Sequence, residues 1–181
     1  YQLGKDVLTH RGPDHYGVFR DENVMLEHWR LSIIDLSPKG NQPMSLNGDN
    51  SPVIAYNGEA YNFLELKEKI KNVTYKSSTD TEVILHLYNQ HGLNFLEYLN
   101  GMFALAIYDR KSKYLIIARD RFGIKPLYYA MDDESNIYFA SELKAVIYNL
   151  NIELSIDHNA IQSMFHLLDI QGGSTAFNEV K

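Results

Sequence analysis

Apolar positions along the chain change period from two to about three and a half, and those changes sketch the elements. Val53-Ile54-Ala55-Tyr56 is a run of four, short enough for a buried strand. Asn57-Gly58 follows, a pair that readily takes positive φ and is expected to break the strand and expose backbone N–H groups. Asn62, with Glu65 three residues on, predicts a capped helix start, and Phe63, Leu66 and Ile70 give that helix an apolar stripe. A strand ending in Asn57-Gly58-Glu59 presents a carboxamide, a bare N–H and a carboxylate together. That pattern reads as a binding lip rather than as packing.

The same periods place the other elements. Val24-Met25-Leu26 predicts a short strand, and His28 to Leu36 mixes alternation with the charges of Arg30 and Asp35. Residues 37–52, rich in Gly, Pro, Asn and Ser, read as loop. Thr79 with Glu82 fits a capping box for a helix buried through Val83, Ile84, Leu87 and Tyr88, with Gly92 as its stop. Phe95, Leu96 and Leu99 suggest a short helix. Met102–Tyr108 and Tyr114–Ala118 predict a hairpin, and their near-continuous apolarity implies that both faces are covered. Leu127–Ala130 pairs with Ile137–Ala140. Ser141 is the expected cap of a helix with Leu143, Val146, Ile147 and Leu150 inward, and Asp157 that of a last helix burying Ile161, Met164, Phe165 and Leu168. Hairpins and helices in mixed order define an α+β chain.

Composition narrows the function classes. At 181 residues the chain suits one domain with a sizeable core, and 45% apolar with 22% charged residues is globular usage. Seventeen basic against 23 acidic residues, with no basic run, argue against nucleic acid or an anionic membrane as partner. No apolar run is long enough to span a bilayer. Without cysteine, disulfides and thiolate metal sites are excluded, and a cytoplasmic location is permitted. The seven histidines show no metal-ligand spacing, so no metal is expected. The sequence begins with Tyr1 and ends at Lys181 without a cap or polar tail, which suggests a piece of a longer protein.

The candidate chemistry gathers Arg30, Asn57, Gly58, Glu59 and Asp80. A guanidinium for a carboxylate and acids for an ammonium would suit an amino acid, and a carboxamide beside a free N–H suits an oxyanion in acyl transfer. Each group has a plainer reading. Arg30 suits a surface position with its stem on Trp29, slightly favoured on composition alone, as well as a buried site awaiting a carboxylate. Asp80 suits the dipole of the helix it opens as well as a substrate cation. The loop His10-Arg11-Gly12-Pro13-Asp14 reads first as a turn with an Arg–Asp pair.

Together the motifs resemble a known family, the class II glutamine amidotransferase domain of asparagine synthetases. The matching pieces are His10–Asp14, Arg30–Leu36, Gln42-Pro43-Met44, Tyr56-Asn57-Gly58-Glu59, Asp80–Val83, Asn100–Ala104, Arg119–Tyr129 and Ser141–Ala145, in the family's order over nearly the whole chain. The turn at Arg119–Gly123 is shared with other class II amidotransferases, whereas Asn57-Gly58-Glu59 with Tyr61-Asn62 and the Ser141–Lys144 run are more specific. The resemblance implies an N-terminal-nucleophile hydrolase fold, a four-layer αββα sandwich with two antiparallel sheets between helical layers. It implies a single amidotransferase domain over residues 1–181 that lacks its first strand, with a C-terminal ATP-dependent synthetase domain absent.

Function follows from the same resemblance. Glutamine would be hydrolysed and its ammonia passed to the synthetase domain for ATP-dependent amidation of aspartate, a ligase reaction of asparagine biosynthesis. This domain would need no cofactor, with ATP and Mg in the synthetase domain, and a homodimer is compatible. Asn57 and Gly58 would form the oxyanion hole, and Arg30 would hold the glutamine α-carboxylate. Glu59 and Asp80 would sit at the ammonium end, and Leu31, Ser32, Ile33 and Ile34 would line the pocket.

The sequence departs from the family in lacking the nucleophilic cysteine; Glu27 and Ala60 stand where Gly and Ile are usual. The fragment by itself is therefore expected to be inactive. Two other readings remain: a non-catalytic scaffold or binding relative that has lost the cysteine, and the glutaminase domain of a similar amidotransferase acting on another carboxylate. Retention of Arg30, Asn57, Gly58, Glu59 and Asp80 favours truncation over loss, because loss of the nucleophile would relax the demand on them.

Overall fold

Every strand pairing among the described residues is antiparallel. The structure is a computed structural model that describes residues 7–46, 48, 50–150, 152–170 and 173–181. Its packing falls into two units, residues 9–125 and residues 126–181, the second including residues 7 and 8.

In the larger unit β1 (His15–Arg20) and β2 (Met25–Arg30) form a hairpin, with Gly17 opposite His28. A second sheet has the order β3 (Met44–Ser45), β4 (Val53–Ala60), β5 (Gly101–Asp109), β6 (Tyr114–Arg119). Two helices follow β4, α1 (Phe63–Lys69) and α2 (Asp80–His91). Ile54, Tyr56 and Ala60 of β4 and Phe103, Leu105 and Ile107 of β5 share the core with Leu66 of α1 and Val83, Ile84, Leu87 and Tyr88 of α2. The alternate residues Val53, Ala104, Ala106 and Tyr108 are buried too. Tyr108 meets Phe19 of β1 at 6.1 Å between ring centres, so helices cover one face of β5 and the hairpin contributes to the other. Its continuous apolarity is thereby explained, and each fully buried side chain such as Ile107 contributes roughly 1.5–3 kcal/mol.

In the smaller unit β7 (Tyr128–Met131) pairs with β8 (Ile137–Ala140), and α3 (Leu143–Asn149) and α4 (His158–Leu167) follow. Ala130, Val146, Leu150 and Val180 form its core. Asp157 caps α4 through the Ala160 N–H, as expected.

Several local expectations are corrected. β4 runs unbroken through Asn57 and Gly58, and Gly58 is absent from the glycines with positive φ. Glycine is needed there for close approach, since a Cβ would lie 2.4 Å from the Met102 carbonyl oxygen. Asn62 does not cap α1 with its side chain. It clips the chain before β5 instead, donating to Tyr98 O at 2.9 Å and accepting from Asn100 N at 3.1 Å. Thr79 does cap α2, but Glu82 turns back to Lys76 N, Ser77 N and Ser77 Oγ rather than to Thr79. Glu142, not Ser141, occupies the N-cap of α3. On α4, Phe165 and the C-cap Leu168 stand 82% and 90% exposed, because an apolar stripe marks a face without supplying anything to cover it. The loop of residues 37–52 contains the short strand β3 and a 3-10 turn, Pro38–Gly40, and β1 forms from a weakly apolar sequence that carries no strand signal of its own.

Candidate site along the open edge of β4

The site follows from strand parity. Phe103 lies opposite Gly58, yet its N–H and C=O both turn the other way, to Asp120 Oδ2 at 3.1 Å and Asp120 N at 2.7 Å. Gly58 and Phe103 are therefore a non-hydrogen-bonded pair, and the Gly58 N–H points out of the sheet on the β3 side. β3 is only two residues long and pairs with Ile54 and Val53, so it stops short of this point.

Side chains take over where β3 ends. Gln42 Oε1 accepts from Tyr56 N at 2.7 Å, and Gln42 Nε2 reaches Thr81 Oγ1 at 3.4 Å. His28 Nε2 meets Tyr56 O at 3.1 Å. Asp80 Oδ2 accepts from Ala60 N at 2.9 Å and from the Tyr56 phenol at 3.1 Å, while Oδ1 accepts from Thr81 N at 2.9 Å. The edge groups on either side of Gly58 are thus satisfied, and no acceptor among the described residues meets the Gly58 N–H. An extended strand with one donor left outward beside an asparagine is suited to receive an oxyanion. Asn57 and Gly58 are half-buried and Glu59 is exposed.

Arg30, at the end of β2, is buried, and the surface reading is thereby corrected. Its Nη1 donates to Ser37 O and Asn41 Oδ1, both at 2.9 Å, and its Nη2 to Asp35 O. These bonds use three of the five N–H donors a guanidinium carries. The group borders an open cleft of about 420 Å³ shared with Asp14, His15, Ser32, Leu36, Pro38 and Asn41. A Cβ on Gly40 would lie 2.3 Å from Arg30 Nη2 and 2.9 Å from Thr79 Cγ2, so the guanidinium and the start of α2 abut across that glycine. Asp35 completes the tie, accepting from Ser78 N at 3.0 Å. Hydrogen bonds from Ser37 and Ser78 hold its carboxyl well below the usual carboxylate range.

Burial is the leading influence at Asp80, Tyr56 and His28. It pushes the Asp80 carboxyl up, against the opposing bonds from Ala60, Tyr56 and Thr81. It also raises the Tyr56 phenol, with the Asp80 charge adding to the effect. His28 is pushed down to about 4 by burial, so its imidazole is neutral at pH 7.

The structure therefore gathers Asn57, Gly58 and Glu59 on one strand, joins Asp80 to that strand, and sets Arg30 beside Ser32. Leu31 and Ile33 stand 56% and 73% exposed on the loop after β2, with Ile34 also exposed, and Leu36 rather than these three borders the cleft. Gln42, His28 and Tyr56 were not singled out as site residues from the sequence. A buried glutamine has no periodic signal, although Gln42 and Tyr56 both lie within motifs that carry the family resemblance. No group of metal-ligating side chains suited to a metal ion occurs among the described residues, nor a helix long and apolar enough to cross a membrane.

The fold and the family match define the class. A solved glutamine phosphoribosylpyrophosphate amidotransferase from B. subtilis, complexed with ADP and GMP, is similar with a TM-score of 0.65 at 24% identity, over 78% of this chain and 38% of that one. That likeness shows the fold: α+β, of the N-terminal-nucleophile amidotransferase type. Residues 3–181 match the family described as the glutamine amidotransferase domain, and the chain belongs to it. Among curated relatives, asparagine synthetase [glutamine-hydrolyzing] 1 of Bacillus subtilis is 40% identical over 177 residues, covering 97% of this chain and 27% of the relative. Asparagine synthetase B [glutamine-hydrolyzing] of Escherichia coli is 42% identical over 142 residues, covering 78% and 25%. The chain spans about a third or less of the length of such relatives.

Proposed function

We propose that the chain is the glutamine-handling domain of a glutamine-hydrolysing asparagine synthetase. The observation that carries this reading is the outward Gly58 N–H beside Asn57, on an edge whose neighbouring groups are already filled. Asn57 and Gly58 receive the carboxamide oxygen of glutamine. The N–H groups left on Arg30 take its α-carboxylate, Asp80 and Glu59 lie toward its ammonium, and the Leu31–Ile34 loop closes over it. In the hydrolysis a cysteine thiol attacks the carboxamide carbon as its thiolate, the thiol proton passes to the departing nitrogen, and the C–N bond breaks to release ammonia. Water then cleaves the thioester to glutamate. The sequence contains no cysteine, so the thiolate must come from elsewhere in the parent protein.

In that parent, a synthetase domain of the same polypeptide uses ATP and Mg to activate aspartate, and the protein acts in the cytoplasm. The test is glutaminase turnover by the full-length parent. Asn57→Ala is expected to lower it by about 10²–10³-fold, and an unchanged rate would remove Asn57 from the oxyanion role. A second reading, a glutamine-binding relative without catalysis, is favoured only by the missing cysteine. A parent reading frame with no cysteine at all would establish it.

A further inference from the structure

Tyr56 is anchored at each of its polar groups. Its N–H goes to Gln42 Oε1, its C=O receives His28 Nε2, and its phenol donates to Asp80 Oδ2 at 3.1 Å. The residue is 3% exposed and Asp80 is 5% exposed. The backbone bonds hold β4; the phenol bond contributes nothing to the ladder and serves only Asp80.

A carboxylate has about four lone-pair sites. Other residues take three at Asp80: Oδ2 by the Tyr56 phenol and the Ala60 N–H, Oδ1 by the Thr81 N–H; the Asp80 backbone N–H is a further donor to the same carboxylate. Two donors on Oδ2 pin that oxygen toward β4, which leaves Oδ1 as the oxygen able to face a ligand. Without the phenol, Oδ2 keeps only the Ala60 bond and the group is freer to turn about its Cβ–Cγ bond. The buried carboxylate would also lose a donor that favours its ionised form. We propose that Tyr56 is a positioning residue: its phenol holds the Asp80 carboxylate with Oδ1 turned to a ligand ammonium, and so selects ligands that carry an α-amino group. The inference rests on the proposed placement of Asp80 at the ammonium end of glutamine. Complementing the dipole of α2 would not require it, because a carboxylate in the first turn serves that purpose in either orientation.

The 181-residue chain contains no thiolate, so binding can be measured on it without turnover. L-Glutamine and 4-carbamoylbutanoate, the same molecule without its amino group, are titrated into the wild type, Tyr56→Phe and Asp80→Asn. The wild type is expected to prefer L-glutamine. Tyr56→Phe should weaken L-glutamine about tenfold, the scale of one hydrogen bond to a charged group, and leave 4-carbamoylbutanoate unchanged. Asp80→Asn should abolish the preference. Unchanged binding of the amino-free ligand also shows that the variant is folded. Equal weakening of both ligands by Tyr56→Phe would mark a merely structural role and overturn the proposal. A Tyr56→Phe protein that keeps the wild-type preference would overturn it too, leaving the glutamine reading intact. A wild type that binds neither ligand would overturn both.

Discussion

Two residues show how local contacts fix the site. Gly58 sits at a close approach of β4 and β5, and a Cβ there would lie 2.8 Å from Phe103 Cα as well as against Met102. Because these are backbone atoms, the strands themselves must part to admit a methyl group. Gly58→Ala is expected to cost about 1–3 kcal/mol, read as a lower denaturation midpoint. His28 couples the site to pH. Burial lowers its pKa from 6.5 to about 4, against the bond to Tyr56 and reinforced by the charges of Arg30 and His15. A histidine whose folded-state pKa is depressed contributes stability that is complete above 6.5 and lost as pH falls toward 4. Unfolding midpoints of wild type and His28→Asn measured from pH 7 to 4 should therefore converge as pH falls, by up to about 1.4 kcal/mol per pH unit. Parallel curves would show that the imidazole is not held neutral.

The turn after β6 governs the element that carries the site. Asp120 receives the N–H groups of Phe103, Phe122, Ile124 and Lys125 at 3.0–3.1 Å. Burial alone would raise its pKa, but these four bonds more than offset that and hold the carboxyl below its usual range. Arg119 clasps the same turn through Lys125 O and Gly123 O, with Gly123 at φ +64°. By binding Phe103, Asp120 keeps that residue's polar groups away from β4, which is the arrangement that leaves Gly58 facing outward. Asp120→Ala would strand several backbone donors and should destabilise the larger unit by about 2 kcal/mol or more. Faster amide exchange at Phe103, Ile124 and Lys125 would register the same loss, whereas unchanged protection would show that the carboxylate is dispensable.

For the molecule as a whole, the receptor groups and the attacking group are separable. Arg30, Asn57, Gly58, Asp80 and the side chains that position them lie within residues 9–125, and the sequence supplies no thiol. The 181-residue chain is accordingly expected to bind L-glutamine while producing no glutamate or ammonia above background, checked by incubation with glutamine and an assay for both products. Turnover by this chain would require a nucleophile other than cysteine and would overturn the proposed chemistry.

Sequence by itself determined the α+β class, the β5–β6 hairpin, the stop of α2 at Gly92, and the caps at Thr79 and Asp157. Each depends on neighbours a few residues apart, and period and capping chemistry act over that range. Asn57-Gly58 was legible as a place of interest, but on the wrong ground, since an isolated Asn-Gly pair favours a turn. Only the tertiary structure decided that β5 would hold this pair extended. It also decided that Arg30 would be buried against carbonyls, that Gln42, His28 and Asp80 would stand in for a strand β3 does not supply, and that the apolar stripe of α4 would lie open. Those outcomes depend on which distant segments meet, and a hydrogen bond between residues 42 and 56 or 28 and 56 leaves no periodic trace along the chain.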